Sequence, residues 1–281
     1  MAKIKITCDS TCDLPESLYQ KYQVDVIPLS VTLGDQLYHD GVDINSREIF
    51  DFVKAHGILP KTSAISMGEY LDVWTPYHEQ GYDIIHVNLS SELSTSYQNA
   101  CLAAKELGHV YVVDSQNLSS GSGHLVLEAA HMISEGMEAP AIKDRLDEIK
   151  DHLDVSFVLQ TLEYLQKGGR CSSATALGAR ALHIRPEIIV HNGGMTVGHK
   201  YRGNMERSVL SYIRGHLEGR TDIDPKRIFV TYSSCPDELV EKVVALIKEL
   251  QPFQEVICSH AGCTISSHCG PNCLGVLLLT K

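Results

Sequence analysis

With 281 residues, 43% of them hydrophobic, the chain is long enough for two domains and apolar enough for a sizeable core. Its 35 acidic against 24 basic residues leave a formal net charge of -11 with no basic block. That argues against nucleic acid or an anionic membrane surface as a partner, so any anion is bound by local geometry. No apolar run reaches membrane-spanning length, and the nine cysteines, an odd number scattered through apolar segments, predict reduced thiols in a cytoplasm.

The first predicted element is an alternating strand, Met1-Ala2-Lys3-Ile4-Lys5-Ile6-Thr7-Cys8-Asp9, which meets a carboxylate too early for a signal peptide. Pro15 then opens a short helix, and residues 24–33 read as a second strand. Asn45 with Glu48, and Ser66 with Glu69, have the capping-box spacing of helix starts. Between those two helices lies a hydroxyl cluster, Pro60-Lys61-Thr62-Ser63-Ala64-Ile65-Ser66.

A strand over 83–88 empties into Leu89-Ser90-Ser91-Glu92-Leu93-Ser94-Thr95-Ser96-Tyr97-Gln98, where a helix should begin. Free backbone N–H groups at a helix start are partially positive, and hydroxyls beside them can donate to a carboxylate or phosphate. The plainer alternative is that Ser91 or Ser94 caps the helix. A second hydroxyl cluster at Thr62 and Ser63 lets the two share one ligand.

Another strand follows at 109–113, ending on Asp114-Ser115. Strands alternating with helices predict a parallel sheet whose ligands bind beyond the carboxyl ends of the strands. A helical stretch over 120–152 includes Pro140 as a helix start, and the pattern changes near Asp154. The expectation is an α/β fold of two domains, an N-terminal parallel-sheet domain at 1–153 and a C-terminal α/β domain with a mixed or antiparallel sheet at 154–281. The second part reads as a strand at 155–159, a hairpin at 188–197, helices near 205–217 and 237–250, and strands at 227–232, 255–259 and 275–279.

Catalytic signatures are scarce. The chain has no Gly-x-Ser-x-Gly elbow, Walker loop or GxGxxG, so neither nucleophilic catalysis nor nucleotide binding has a signature. Asp9, Asp13 and Asp114 at strand ends support an alternative, a Mg²⁺-dependent phosphatase or phosphotransferase. Asp9 and Asp13 are four residues apart, whereas the haloacid dehalogenase pattern wants two, and Asx turns explain them as well. Cys258, Cys263, Cys269 and Cys273, with His260 and His268 among them, lack the CxxC pairs of a structural zinc site, so no metal is expected.

Two cations remain. Arg170 closes Leu165-Gln166-Lys167-Gly168-Gly169-Arg170, where two glycines end a helix and display a guanidinium suited to carboxylate or phosphate. His268 lies in Ser267-His268-Cys269-Gly270-Pro271-Asn272-Cys273-Leu274-Gly275, read as a tight turn before the last strand.

Taken in order, these motifs, together with Ile27-Pro28-Leu29, Tyr38-His39-Asp40-Gly41-Val42-Asp43-Ile44 and Val113-Asp114-Ser115, resemble the DegV family of fatty-acid-binding proteins over nearly the whole chain. That family includes the carrier subunits of bacterial fatty acid kinase. The resemblance implies two α/β domains with a long-chain fatty acid in an apolar tunnel between and within them, its carboxyl group held by hydroxyls. Thr62 and Ser94 match the head-group positions, Ser63 and Ser96 neighbour them, and His268 matches a histidine near the same pocket. Arg170 matches an arginine associated with the kinase partner. No cofactor and no catalysis by this chain are implied; a separate ATP-using kinase makes the acyl phosphate.

Three positions depart from the family pattern. Thr95 replaces a glycine in Ser94-Thr95-Ser96-Tyr97, Asn272 replaces a glycine, and Arg185 precedes Pro186 where lysine is common. If the glycine at position 95 served a positive φ, the head-group loop must differ here.

Overall fold

A computed structural model describes residues 3–177 and 184–281, so Met1 and Ala2 of the expected first strand lie outside the described residues. In chain order the elements are β1 (Lys3–Asp9), α1 (Glu16–Tyr22), β2 (Asp25–Ile27), β3 (Ser30–Leu33), β4 (Gln36–His39), α2 (Ser46–His56), β5 (Lys61–Ser63) and α3 (Met67–Glu79). Next come β6 (Tyr82–Asn88), α4 (Ser96–Leu107), β7 (Val110–Asp114), α5 (Ser120–Ser134), α6 (Ala139–Ile149), β8 (Leu153–Val158), α7 (Glu163–Gly168) and α8 (Ser172–Leu177). The rest are β9 (Ile184–His191), β10 (Gly194–Arg202), α9 (Met205–Leu217), β11 (Ile223–Ser233), α10 (Asp237–Leu250), β12 (Glu255–His260), α11 (Cys263–Cys269) and β13 (Cys273–Thr280).

The described strands form three sheets. β2-β1-β6-β7 is parallel throughout, as alternation of strand and helix requires. β10-β9-β8-β13-β11-β12 is mixed, with β11 and β12 parallel and the other pairs antiparallel. The fold is therefore α/β with one parallel and one mixed sheet. A third, antiparallel sheet, β4-β3-β5, has no counterpart in the sequence reading.

That small sheet arises where the strand expected over 24–33 breaks. Pro28 has no N–H for a ladder, and the Leu29 N–H goes instead to Ser10 Oγ at 3.1 Å. The chain leaves the parallel sheet as β2 and re-forms as β3, which pairs with β5 through Val31 and Thr62. Thr62 therefore sits on a strand rather than in a loop between helices. The helical stretch expected over 120–152 also divides, because Gly136 at φ 82° turns the chain after α5, and Pro140 falls at the start of α6.

Helix α5 touches both large sheets, and its first seven residues, Ser120 to Val126, are all buried. Gly121 and Gly123 make that position sterically feasible: a Cβ on the first would lie 2.3 Å from Asn117 Oδ1, and on the second 2.9 Å from the Cys12 carbonyl. One apolar core consequently runs through both halves, joining Val87 and Leu125 to Val155, Phe157 and Leu277. All nine cysteines are free thiols, with Cys258 exposed and Cys263, Cys269 and Cys273 buried.

Asn272 has φ 53°, the left-handed region, so an amide side chain here does what a glycine would do at less conformational cost in the unfolded chain. Asn272→Gly is expected to leave stability nearly unchanged, while Asn272→Val loses about 1–2 kcal/mol. Urea denaturation of the two variants checks this; equal stabilities would contradict it.

Candidate functional site

Side-chain carboxyl groups hold the carboxyl ends of two of the parallel strands, one of them fully buried and the other half-buried. Asp9, fully buried at the end of β1, accepts from Tyr70 Oη at 3.0 Å, Asn88 Nδ2 at 3.0 Å and the Leu89 N–H at 2.9 Å, with His86 Nε2 3.2 Å away. Asp114 accepts from the Ser91 N–H and hydroxyl and from the Gln116 N–H. Ser90 donates to the Gly193 carbonyl at the tip of the β9–β10 hairpin, 2.8 Å away. The hydroxyl-rich loop from Ser90 to Ser96 is thus pinned from three directions.

Asp13 and Asp40 act together at the start of α11. Asp13 accepts from Ser119 Oγ and the Gly262 N–H, and Asp40 from the Cys263 and Thr264 N–H groups. Burial pushes the Asp13 carboxyl well above the usual carboxylate range. Asp9, Asp13 and Asp114 therefore close three different pieces of backbone. Among the described residues, no group of three His, Cys, Asp or Glu side chains is placed to hold a metal ion.

A cavity of about 300 Å³ opens where β5, the β6–α4 loop, the corner after α7 and α11 meet. Thr62, Ser63, Ser94, Arg170 and His268 all line it, so the structure brings together five of the six residues singled out from the sequence. Ser96 is the exception. It is fully buried behind Ser94, with the two hydroxyls 2.9 Å apart, and its Oγ accepts the Ile65 N–H.

The Ser94 and Ser96 hydroxyls are within hydrogen-bonding distance, and either can be the donor. The Ser96 N–H donates to Ser94 Oγ at 3.2 Å, and Ser96 Oγ already accepts from Ile65. In the arrangement where Ser96 donates to Ser94 Oγ, the Ser94 hydroxyl is free to donate into the cavity. Thr95 lies at φ −80°, ψ 1°, an ordinary conformation, so the loop makes no demand for glycine there.

His268 is in the last turn of α11 rather than in the tight turn expected before the last strand. Its Nε2 lies 2.8 Å from Thr62 Oγ1, while Nδ1 is buried with no hydrogen-bond partner among the described residues. Nδ1 packs against Gly168, where a Cβ would approach to 2.3 Å. A proton on Nε2 pairs with Thr62 and avoids an orphaned buried N–H at Nδ1; the Thr62 hydroxyl then also donates into the cavity. Burial, and secondarily the Arg170 charge, lower the His268 pKa to about 4, so the imidazole is neutral near pH 7.

Arg170 stands at the exposed rim, donating from Nη1 to the Gly168 carbonyl at 2.8 Å and from Nε to the Leu93 carbonyl at 3.4 Å. The opposite end of the cavity is apolar. Leu118, Ile265 and Cys269 form a wall shared with a second space of about 20 Å³ bounded by Phe157, Cys273 and Leu277. The site therefore offers two neutral hydroxyl donors at one end and a hydrocarbon surface leading between α11 and the mixed sheet at the other.

Sequence reasoning missed Thr264, Leu118 and Met195, all on the cavity wall. Thr264 and His268 are four residues apart, a helical spacing that would have found α11. Leu118 and Met195 carry no local signal, since tertiary folding alone brings their segments to the cavity.

Compared with known proteins, residues 3–281 match the model of a family described as uncharacterised protein, DegV family. A DegV domain-containing protein of Clostridium acetobutylicum is 33% identical over 285 residues, covering 100% of both chains. The structure resembles that of a DegV family protein from Thermus thermophilus described by its fatty acid binding, with TM-score 0.89, 31% identity and coverage of 99% of this chain and 100% of that one. A protein of Thermotoga maritima, described as revealing fatty acid binding function, gives TM-score 0.87 at 28% identity with both chains fully covered.

Proposed function

The chain belongs to the DegV family, and we propose that it is a non-enzymatic lipid carrier of the cytoplasm that binds one long-chain fatty acid and presents its carboxyl group to a partner kinase. The observation that carries this reading is the pairing of Thr62 and Ser94 donors with the apolar wall of Leu118, Ile265 and Cys269 in one cavity. Burying an acyl chain releases about 0.8 kcal/mol per CH₂, so the head group has only to be oriented. Neutral hydroxyls do that without the desolvation cost of a buried ion pair. The fatty acid binding described for the Thermus and Thermotoga proteins supports the ligand class. Among the described residues, no helix is long and apolar enough to cross a membrane.

In this reading Thr62 and Ser94 hold the two carboxyl oxygens, Ser96 and His268 orient them, and Ser63 lines the entrance. On a division into domains at 1–153 and 154–281, Thr62 and Ser94 belong to the first and α11 to the second, and the proposed ligand lies where they meet. Removing both hydroxyls as Thr62→Ala with Ser94→Ala is expected to weaken binding by about 2 kcal/mol, on about 1 kcal/mol per hydrogen bond, or roughly thirtyfold. Competition against a fluorescent fatty acid measures it, and unchanged affinity would remove their role.

Arg170, at the rim, faces the partner. Arg170→Ala is expected to bind fatty acid as the parent does while acyl-phosphate formation with ATP and a purified fatty acid kinase falls. Full turnover by this variant would take Arg170 out of partner recognition.

A further inference from the structure

The cavity wall carries a hydroxyl that the carboxyl-holding scheme does not use. Thr264 is only 4% exposed and lines the cavity, and its Oγ1 has no hydrogen-bond partner among the described residues. Buried polar atoms are satisfied in the great majority of cases, and an unmade hydrogen bond there is costly. Its backbone N–H is committed to Asp40 Oδ2 at 2.9 Å, which fixes the main chain but leaves the side chain unanchored. Because Oγ1 makes no hydrogen bond, a turn about χ1 to another staggered position breaks none, and the hydroxyl is free to reorient toward a ligand in the cavity it lines.

Position gives that hydroxyl a meaning. Thr264 lies about one helical turn before His268, roughly 6 Å along the axis of α11 from the residue whose imidazole touches Thr62. It adjoins Ile265, on the wall toward which the apolar space continues. A ligand whose carboxyl sits at Thr62 and Ser94 thus passes Thr264 within its first few carbons.

Resting on the fatty-acid reading above, we propose that Thr264 is a specificity-determining residue that makes this protein select acyl chains bearing a hydroxyl group close to the carboxyl end. A plain hydrocarbon at this point leaves Oγ1 unpaired, whereas a 2-, 3- or 4-hydroxy acid supplies both a donor and an acceptor. Sites that hydrogen-bond a ligand hydroxyl discriminate strongly against the analogue lacking it, because their own polar group is then stranded.

The test uses delipidated full-length protein and competition binding with hexadecanoic acid and its 2-, 3- and 4-hydroxy derivatives. The parent protein is expected to prefer at least one hydroxy acid by about tenfold or more. Thr264→Val, which keeps the shape, is expected to abolish that preference while binding hexadecanoic acid at least as tightly; its melting temperature reports folding. Equal or weaker binding of every hydroxy acid by the parent overturns the proposal and leaves the carrier reading standing. A preference that survives in Thr264→Val also overturns it, by assigning selectivity elsewhere. Failure of all four acids to bind the parent overturns the fatty-acid reading itself.

Discussion

Asp9→Ala is expected to destabilise the protein by about 3–5 kcal/mol, the range for breaking a buried charged network, and to lower its melting temperature by roughly 10 °C. The carboxylate is fully buried and accepts from Tyr70, Asn88 and the Leu89 backbone, with His86 alongside. Truncation leaves these donors facing a void, each with its own desolvation penalty. Asp9→Asn should cost less. Its amide can turn toward Tyr70 Oη and His86 Nε2, groups able to accept, and keep one oxygen for Asn88 and Leu89. Because Leu89 opens the loop that carries Ser94, fatty acid affinity should fall with stability in the Ala variant. A metal-ligating Asp9 predicts the opposite pattern, with stability held or raised as like charge is removed. Thermal and urea denaturation of both variants, with and without Mg²⁺, distinguish the two.

The second large effect is in the ligand. If tail burial supplies the driving force, shortening a saturated acid from sixteen to eight carbons removes eight methylenes and about 6 kcal/mol, roughly four orders of magnitude in affinity. Removing both head-group hydroxyls is worth only about 2 kcal/mol by comparison. A site driven by its polar end inverts that order, with little dependence on chain length and a large loss in the double variant. Titration with acids of eight, twelve and sixteen carbons measures the slope per methylene. A slope below a few tenths of a kcal/mol would mean that the acyl chain stays largely in water.

How much of this was legible in the sequence differs between elements. The parallel sheet was, because β-branched runs such as Ile84 to Val87 and capping boxes at Asn45 and Ser66 are local signals that the folded chain keeps. The strands of the second sheet were legible from their β-branched runs, but these left it open whether the sheet was mixed or antiparallel, because the parallel β11–β12 pairing is set by the α10 crossover. The β3–β4–β5 sheet was not. Its strands are three or four residues long, and their pairing depends on Pro28 and on Ser10 capturing the Leu29 N–H from a distant loop.

At the site, residue types were legible and their division of labour was not. Ser96 lies behind Ser94, and His268 reaches Thr62 across 206 residues only because α11 is docked by Asp13 and Asp40. Nothing near Gly168 in the sequence indicates that its missing side chain makes room for an imidazole. The two departures that bear on backbone freedom separate cleanly once φ is known. Thr95 occupies an ordinary conformation, and Asn272 takes over a left-handed one.

The most direct test of the central claim is to denature the purified protein, extract it with organic solvent and quantify the released lipid by mass spectrometry. One long-chain fatty acid per chain is expected, or stoichiometric uptake when a delipidated sample is offered one. A protein that releases no fatty acid and takes up none would contradict it.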